Sequence, residues 1–86
     1  MHNEVLVAIL AYNEEKNISE VLNMVCKKFS NILVVDNNSE DLTNKKVENF
    51  PVFLIKHKYN LGKSGSMKTA LEFAKIKNFK YLAFMD

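Results

Sequence analysis

Asp36 is the first residue of this 86-residue chain whose type and position together suggest chemistry. It ends the apolar run Ile32-Leu33-Val34-Val35 and opens a polar cluster that includes Asn37, Asn38, Ser39, Glu40, Asp41 and Thr43. Four branched apolar residues without polar alternation read as a buried parallel strand that stops abruptly in a turn. The acid therefore sits at the carboxyl end of a strand, the edge at which open α/β sheets bind ligands. A carboxylate there can accept hydrogen bonds from the imide N–H of uracil or the N–H edge of guanine more strongly than a neutral side chain. It can equally cap the turn that follows, as Asp commonly does.

Three other stretches invite comparison. Tyr12-Asn13-Glu14-Glu15 follows the apolar run Val5 to Ala11, so Tyr12 can lie against a base or simply cover the end of a sheet, and Glu14 can serve a site or support a helix start. Gly62-Lys63-Ser64 is reminiscent of the phosphate loop of nucleoside triphosphatases. That motif needs a glycine five places earlier, where His57 stands, so it is rejected. Lys63 at a helix N-terminus can meet a pyrophosphate or face solvent. Cys26 is the single cysteine, which rules out an internal disulfide and suits a buried thiol on an apolar helix face.

The elements that must position these residues alternate. A first strand spans Val5 to Ala11, and Asn13 is expected to cap a helix with Glu14 and Glu15 in its first turn and Ile18, Val21, Leu22, Val25 and Phe29 on one face. The second strand is Ile32 to Asp36. A short helix from about Leu42 to Asn49 precedes Pro51, and a third strand runs Val52 to Lys56. After a loop from His57 to Gly62, a helix is expected over about Ser64 to Lys77 with Asn78 as its stop, then a last strand, Tyr81 to Met85. Four strands and three helices in alternation predict a wound α/β unit, and right-handed crossovers make 3-2-1-4 the simplest strand order with a switch point. The strands ending in Asp36 and Asp86 would then flank the first, roughly 10 Å apart across its mouth, the width of a nucleoside.

Composition agrees with one small globular domain: 48% hydrophobic and 26% charged residues exclude a disordered tail. The longest apolar run, Val5 to Tyr12, is too short to span a bilayer and no basic segment precedes it, so a cytoplasmic location is expected. Residues 1–54 carry five Lys and eight acids, a net of −3, whereas 55–86 carry seven Lys and two acids, a net of +5. The basic second half suits a pyrophosphate or an anionic membrane surface, or a set of solvated helix faces. Nucleic acid is not expected as a partner, since there is no Arg and no interleaving of aromatic and basic residues.

Val7-Ala8-Ile9-Leu10-Ala11-Tyr12-Asn13-Glu14-Glu15, then Val34-Val35-Asp36-Asn37-Asn38-Ser39 with Asp41 and Thr43, then Asn60-Leu61-Gly62-Lys63, then Leu82-Ala83-Phe84-Met85-Asp86 resemble the opening blocks of the family-two glycosyltransferases, in order and spacing. The resemblance implies a Rossmann-like glycosyltransferase-A fold and an inverting transfer of sugar from a UDP-sugar or GDP-sugar to an acceptor, as in dolichyl-phosphate or polyprenyl-phosphate sugar synthases. The acceptor would be a polyprenyl phosphate or a glycan. Leu10, Tyr12, Glu14, Val34 and Asp36 match nucleotide-contacting positions, with Leu10 and Val34 acting through main chain and packing, and Lys63 stands at the supporting Asn-x-Gly-Lys block. Asp86 matches the first acid of an Asp-x-Asp motif that holds a magnesium or manganese ion against the donor diphosphate. Leu10 replaces a common Pro and Leu42 a common Gly, which changes loop shape rather than chemistry.

The family carries its catalytic base and acceptor site later in the chain. The expectation is thus a truncated, donor-nucleotide portion of the domain, inactive alone, in a parent that is cytoplasmic or sits at the cytoplasmic face of a membrane. The last strand would leave an uncovered apolar edge, so a homo-oligomer through that edge is expected. The rival is a non-catalytic α/β nucleotide-binding or receiver-like regulatory module. It explains the alternation and the acid at a strand end, but not the four blocks together.

Overall fold

The structure, a computed structural model, describes residues 4–85. Its elements are β1 (Val5–Ala11), α1 (Ile18–Lys28), β2 (Ile32–Asp36), α2 (Thr43–Val47), β3 (Phe53–Lys56), α3 (Gly62–Ile76) and β4 (Tyr81–Met85). The four strands form one parallel sheet in the order β3-β2-β1-β4, as the alternation predicts. Ala11 stands beside Asp36 and Ile9 beside Met85, so β1, β2 and β4 present their carboxyl ends at one rim.

The unbroken apolar runs reflect burial on both faces. Val7, Ile9 and Ala11 of β1 with Ile32 and Val34 of β2 pack against Ile18, Leu22 and Val25 of α1 and Val47 of α2. Leu6 and Ala8 with Leu33 and Val35 point the other way, onto Ala70 and Ala74 of α3. The small alanines let α3 lie close to the sheet, which brings its first turn over the carboxyl rim. Phe53 and Phe73 meet at a centroid distance of 5.0 Å, fastening the same helix to β3.

Several boundaries differ from the sequence expectation. Asn13 does not cap α1: it adopts a left-handed φ of 53°, and its Oδ1 accepts the Glu40 N–H at 2.9 Å. Glu14 to Asn17 form a separate turn in which Asn17 N–H and Ile18 N–H both donate to Glu14 O, so Glu14 and Glu15 precede the helix. α2 covers only Thr43–Val47, β3 starts at Phe53 because Val52 N–H donates to Phe50 O across Pro51, and α3 begins two residues early, at Gly62. Cys26 is half-buried at the margin of its layer rather than within it. Asn78 does end α3: at φ 63° it lets Asn78 N–H reach Lys75 O and Phe79 N–H reach Ala74 O, a Schellman stop with Phe79 packed into the α3 layer.

Candidate functional site

At the carboxyl rim two loops hold each other. Asn13 N–H donates to Ser39 Oγ at 2.7 Å, Glu14 N–H to Thr43 Oγ1 at 2.8 Å, and Glu15 N–H to an Asp41 oxygen at 3.2 Å. In return Leu42 N–H donates to the Glu15 carboxylate and Lys46 Nζ to Glu15 O. The segment after β1 and the segment after β2 thus form one unit, with Thr43 wholly buried between them. Asp41 also accepts the N–H and hydroxyl of Thr43. Local burial pushes its carboxyl up, but the hydrogen bonds from Thr43 and Glu15 outweigh this and hold it below the ordinary carboxylate value.

Asp36 lies inside this unit and is 0% exposed. Its carboxylate accepts the Ser39 N–H at 2.9 Å, the Ser39 hydroxyl, and Asn44 Nδ2 at 3.1 Å. The turn-capping role open to this residue is therefore realised. Its side chain forms no part of the cleft wall described next.

Beside the interlocked loops, between the end of β1 and the first turn of α3, is a cleft of about 360 Å³. Leu10, Tyr12, Glu14 and Lys63, four residues singled out from sequence, come together in its lining. Val34 is buried in the sheet, as a packing role requires. Asp86 lies outside the described residues. Tyr12 is 46% exposed, so its ring is available as a face for a planar ligand.

The far wall is built from amides. Asn37, 8% exposed, donates from Nδ2 to Asn60 Oδ1 at 2.8 Å and accepts the Leu61 N–H at 2.8 Å. Asn60 Oδ1 also accepts the Gly62 N–H at 2.9 Å, where a φ of 74° requires glycine. The Leu61 amide just before α3 and the Gly62 amide that opens it are thereby bonded to side chains, and those of Lys63 and Ser64 follow on the same turn without an intrahelical acceptor. Ser66, also in the lining, has a buried Oγ without a partner among the described residues.

Asn37, Ala11 and Ser66 were not anticipated as lining residues. Asn37 adjoins Asp36, and Ser66 falls one helical turn beyond Gly62, so the spacing was visible although the burial was not. His57 and Thr69, which support Asn37 from behind, left no local signal at all.

A hard divalent cation takes oxygen ligands and is satisfied by one or two carboxylates once a diphosphate supplies the rest. Among the described residues no three His, Cys, Asp or Glu side chains gather. With Asp36 occupied by the turn, Glu14 is the one carboxylate among the described residues that lines the cleft, so the described site does not by itself make a metal centre.

No helix of the described residues is long and apolar enough to cross a membrane. The uncharacterized protein MJ0544 of Methanocaldococcus jannaschii is 37% identical over 89 residues, a stretch covering 94% of this chain and 39% of that protein. The uncharacterized protein MJ1222 of the same organism is 33% identical over 85 residues, covering 98% and 35%. The chain thus spans little more than a third of the length of these curated relatives. The sheet order, the rim cleft and a match of residues 6–86 to one family description agree, and the chain belongs to glycosyl transferase family 2.

Proposed function

We propose that residues 1–86 form the donor-nucleotide part of a glycosyltransferase-A domain, and that the rim cleft receives the nucleoside diphosphate of a UDP-sugar or GDP-sugar. The observation that carries this reading is the convergence of Tyr12, Glu14, Asn60 and Lys63 around one cleft at the carboxyl edge of a parallel sheet. Tyr12 offers a stacking face, Glu14 an acceptor for ribose hydroxyls or base N–H groups, and Lys63 with the first turn of α3 a cationic end for phosphate oxygens. Asp36 acts first by holding the loop that orients Tyr12 and Glu14. A direct contact between its carboxylate and a base needs Ser39 to swing aside.

In the whole protein the acceptor oxygen attacks the anomeric carbon as the bond to the diphosphate breaks, which inverts that centre, and the acceptor proton passes to a carboxylate base. No described residue is assigned as that base. A magnesium or manganese ion would help the diphosphate leave, and Asp86 is the residue of this chain proposed to share it. The acceptor proposed is a polyprenyl phosphate or a glycan, with the protein acting in the cytoplasm or at the cytoplasmic face of a membrane. Isothermal titration with UDP, GDP and their sugars, with and without manganese, tests the reading. Binding of one nucleotide family with one-to-one stoichiometry is expected; heat from none of them at millimolar ligand would contradict it.

A further inference from the structure

We propose that His57, which does not line the cleft, is a positioning residue for the donor site: it locks the Asn37 carboxamide and, through it, presents the Asn60 amide nitrogen to acceptor oxygens of a bound nucleotide. The inference rests on the nucleotide reading above and deepens it.

His57 directly follows β3, and its backbone N–H donates to Asp36 O at 2.9 Å, which fixes the ring beside the end of β2. Nδ1 lies 3.1 Å from Asn37 Oδ1 and Nε2 lies 2.8 Å from Thr69 Oγ1, so the imidazole bridges β2 and α3. Asn37 is tied at both atoms of its carboxamide: Oδ1 takes the Leu61 N–H and Nδ2 faces Asn60 Oδ1. Reversing the amide would set its NH2 group against the Leu61 N–H and its oxygen against Asn60 Oδ1, so Oδ1 faces His57 and Nδ1 carries the proton between them. Nε2 then accepts the single Thr69 hydroxyl proton, in place of the bond that hydroxyl could otherwise donate to Gly65 O at 3.1 Å, which steadies the other side of the ring.

The consequence appears one residue further along the chain of bonds. Asn60 Oδ1 accepts from both Asn37 Nδ2 and Gly62 N–H, which fixes the orientation of its amide. Its Nδ2 has no partner among the described residues, although Asn60 is exposed and lines the cleft. Two amide N–H donors therefore stand ready at the wall. Their complement is an acceptor oxygen: a base carbonyl, a ribose hydroxyl or a phosphate, all of which a nucleoside diphosphate supplies. Losing the His57 bond removes one of the three hydrogen bonds that hold the Asn37 carboxamide and so loosens the Asn60 amide bonded to it.

The test is calorimetric titration of the 86-residue chain with UDP and GDP in the presence of magnesium. His57→Phe and Asn60→Ala should each weaken the nucleotide by about five- to tenfold, the effect of one or two neutral hydrogen bonds. The double variant should bind no worse than about Asn60→Ala alone, because the two act in series. In His57→Asn the amide nitrogen takes the place of Nδ1, so affinity should return to within about twofold of wild type. His57→Gln reaches Thr69 instead and should not rescue. Val47→Ala, in the opposite layer, is the control for lost stability and should bind as wild type at a temperature where all variants are folded. Wild-type affinity in His57→Phe, equal rescue by Gln and Asn, or multiplying penalties in the double variant would each overturn the role given to His57 and leave the donor site standing. A wild-type chain that binds neither nucleotide would remove the donor site and this inference together.

Discussion

Ser39 donates twice to the buried carboxylate of Asp36, from its backbone N–H at 2.9 Å and from its hydroxyl. With Asn44 as a third donor, this acid holds the loop that in turn holds the segment after β1. Asp36→Ala leaves three half-buried donors without an acceptor and should cost about 2–4 kcal/mol. For a domain of this size that is a fall in Tm of roughly 10 °C or more, read by thermal circular dichroism. An unchanged Tm would mean that the carboxylate does not hold the turn.

The same interlocked loops predict a pH dependence. Local burial raises the Asp41 carboxyl, but hydrogen bonds from the Thr43 hydroxyl and from the N–H groups of Thr43 and Glu15 lower it further, so its folded value lies below its unfolded one. A depressed carboxyl stabilises the fold fully above the unfolded value, about 3.9, and that contribution disappears as pH falls through the folded value. Denaturant midpoints measured from pH 6 down to pH 2 should fall across this window, and Asp41→Asn should flatten part of the decline. A variant curve parallel to wild type throughout would refute the assignment.

Gly65 is required by space rather than by backbone angle. A Cβ placed there would stand 2.5 Å from Leu61 Cβ, one turn back at the start of α3. Gly65→Ala must displace Leu61 and with it the turn from Asn60 to Gly62, at a cost of about 1–3 kcal/mol. Nucleotide affinity should fall together with Tm. Retention of both would show that the α3 turn yields without consequence for the cleft.

The edge of the sheet carries a prediction about assembly. Among the described residues β4 pairs with β1 alone, and Tyr81 and Phe84 are 59% and 41% exposed. An apolar edge strand with free backbone groups pairs readily with another chain. Sedimentation velocity should detect association that grows with concentration and that Phe84→Glu reduces. A monomer at every accessible concentration would count against this edge as an interface.

Strand order and the placing of the rim were legible in the sequence because the two central strands, buried on both faces, are unbroken apolar runs ending in polar residues, and the two edge strands are short apolar runs between turn signals. The start of α1 was not. Asn13 followed by two glutamates has the composition of a capped helix, yet its side chain bonds Glu40, 27 residues away, a partner that no local window contains. Asp36 shows the same limit from the other side. Its residue type suited both a nucleotide contact and a turn, and only the positions of Ser39 and Asn44 decided where the carboxylate is engaged. The cleft was half legible: Tyr12, Glu14 and Lys63 were marked by type and position, whereas the Asn37 and Asn60 wall depends on two loops that meet only after the sheet has formed.

Isotope-edited NMR of the chain titrated with UDP and with GDP tests the central claim most directly, because every backbone amide reports its own surroundings. Saturable shifts are expected at Tyr12, Glu14, Asn37 and Asn60 to Lys63, around the rim cleft. Shifts confined to the opposite end of the sheet, at Glu4 and Lys75 to Lys80, or no saturable shifts with either nucleotide, would contradict it.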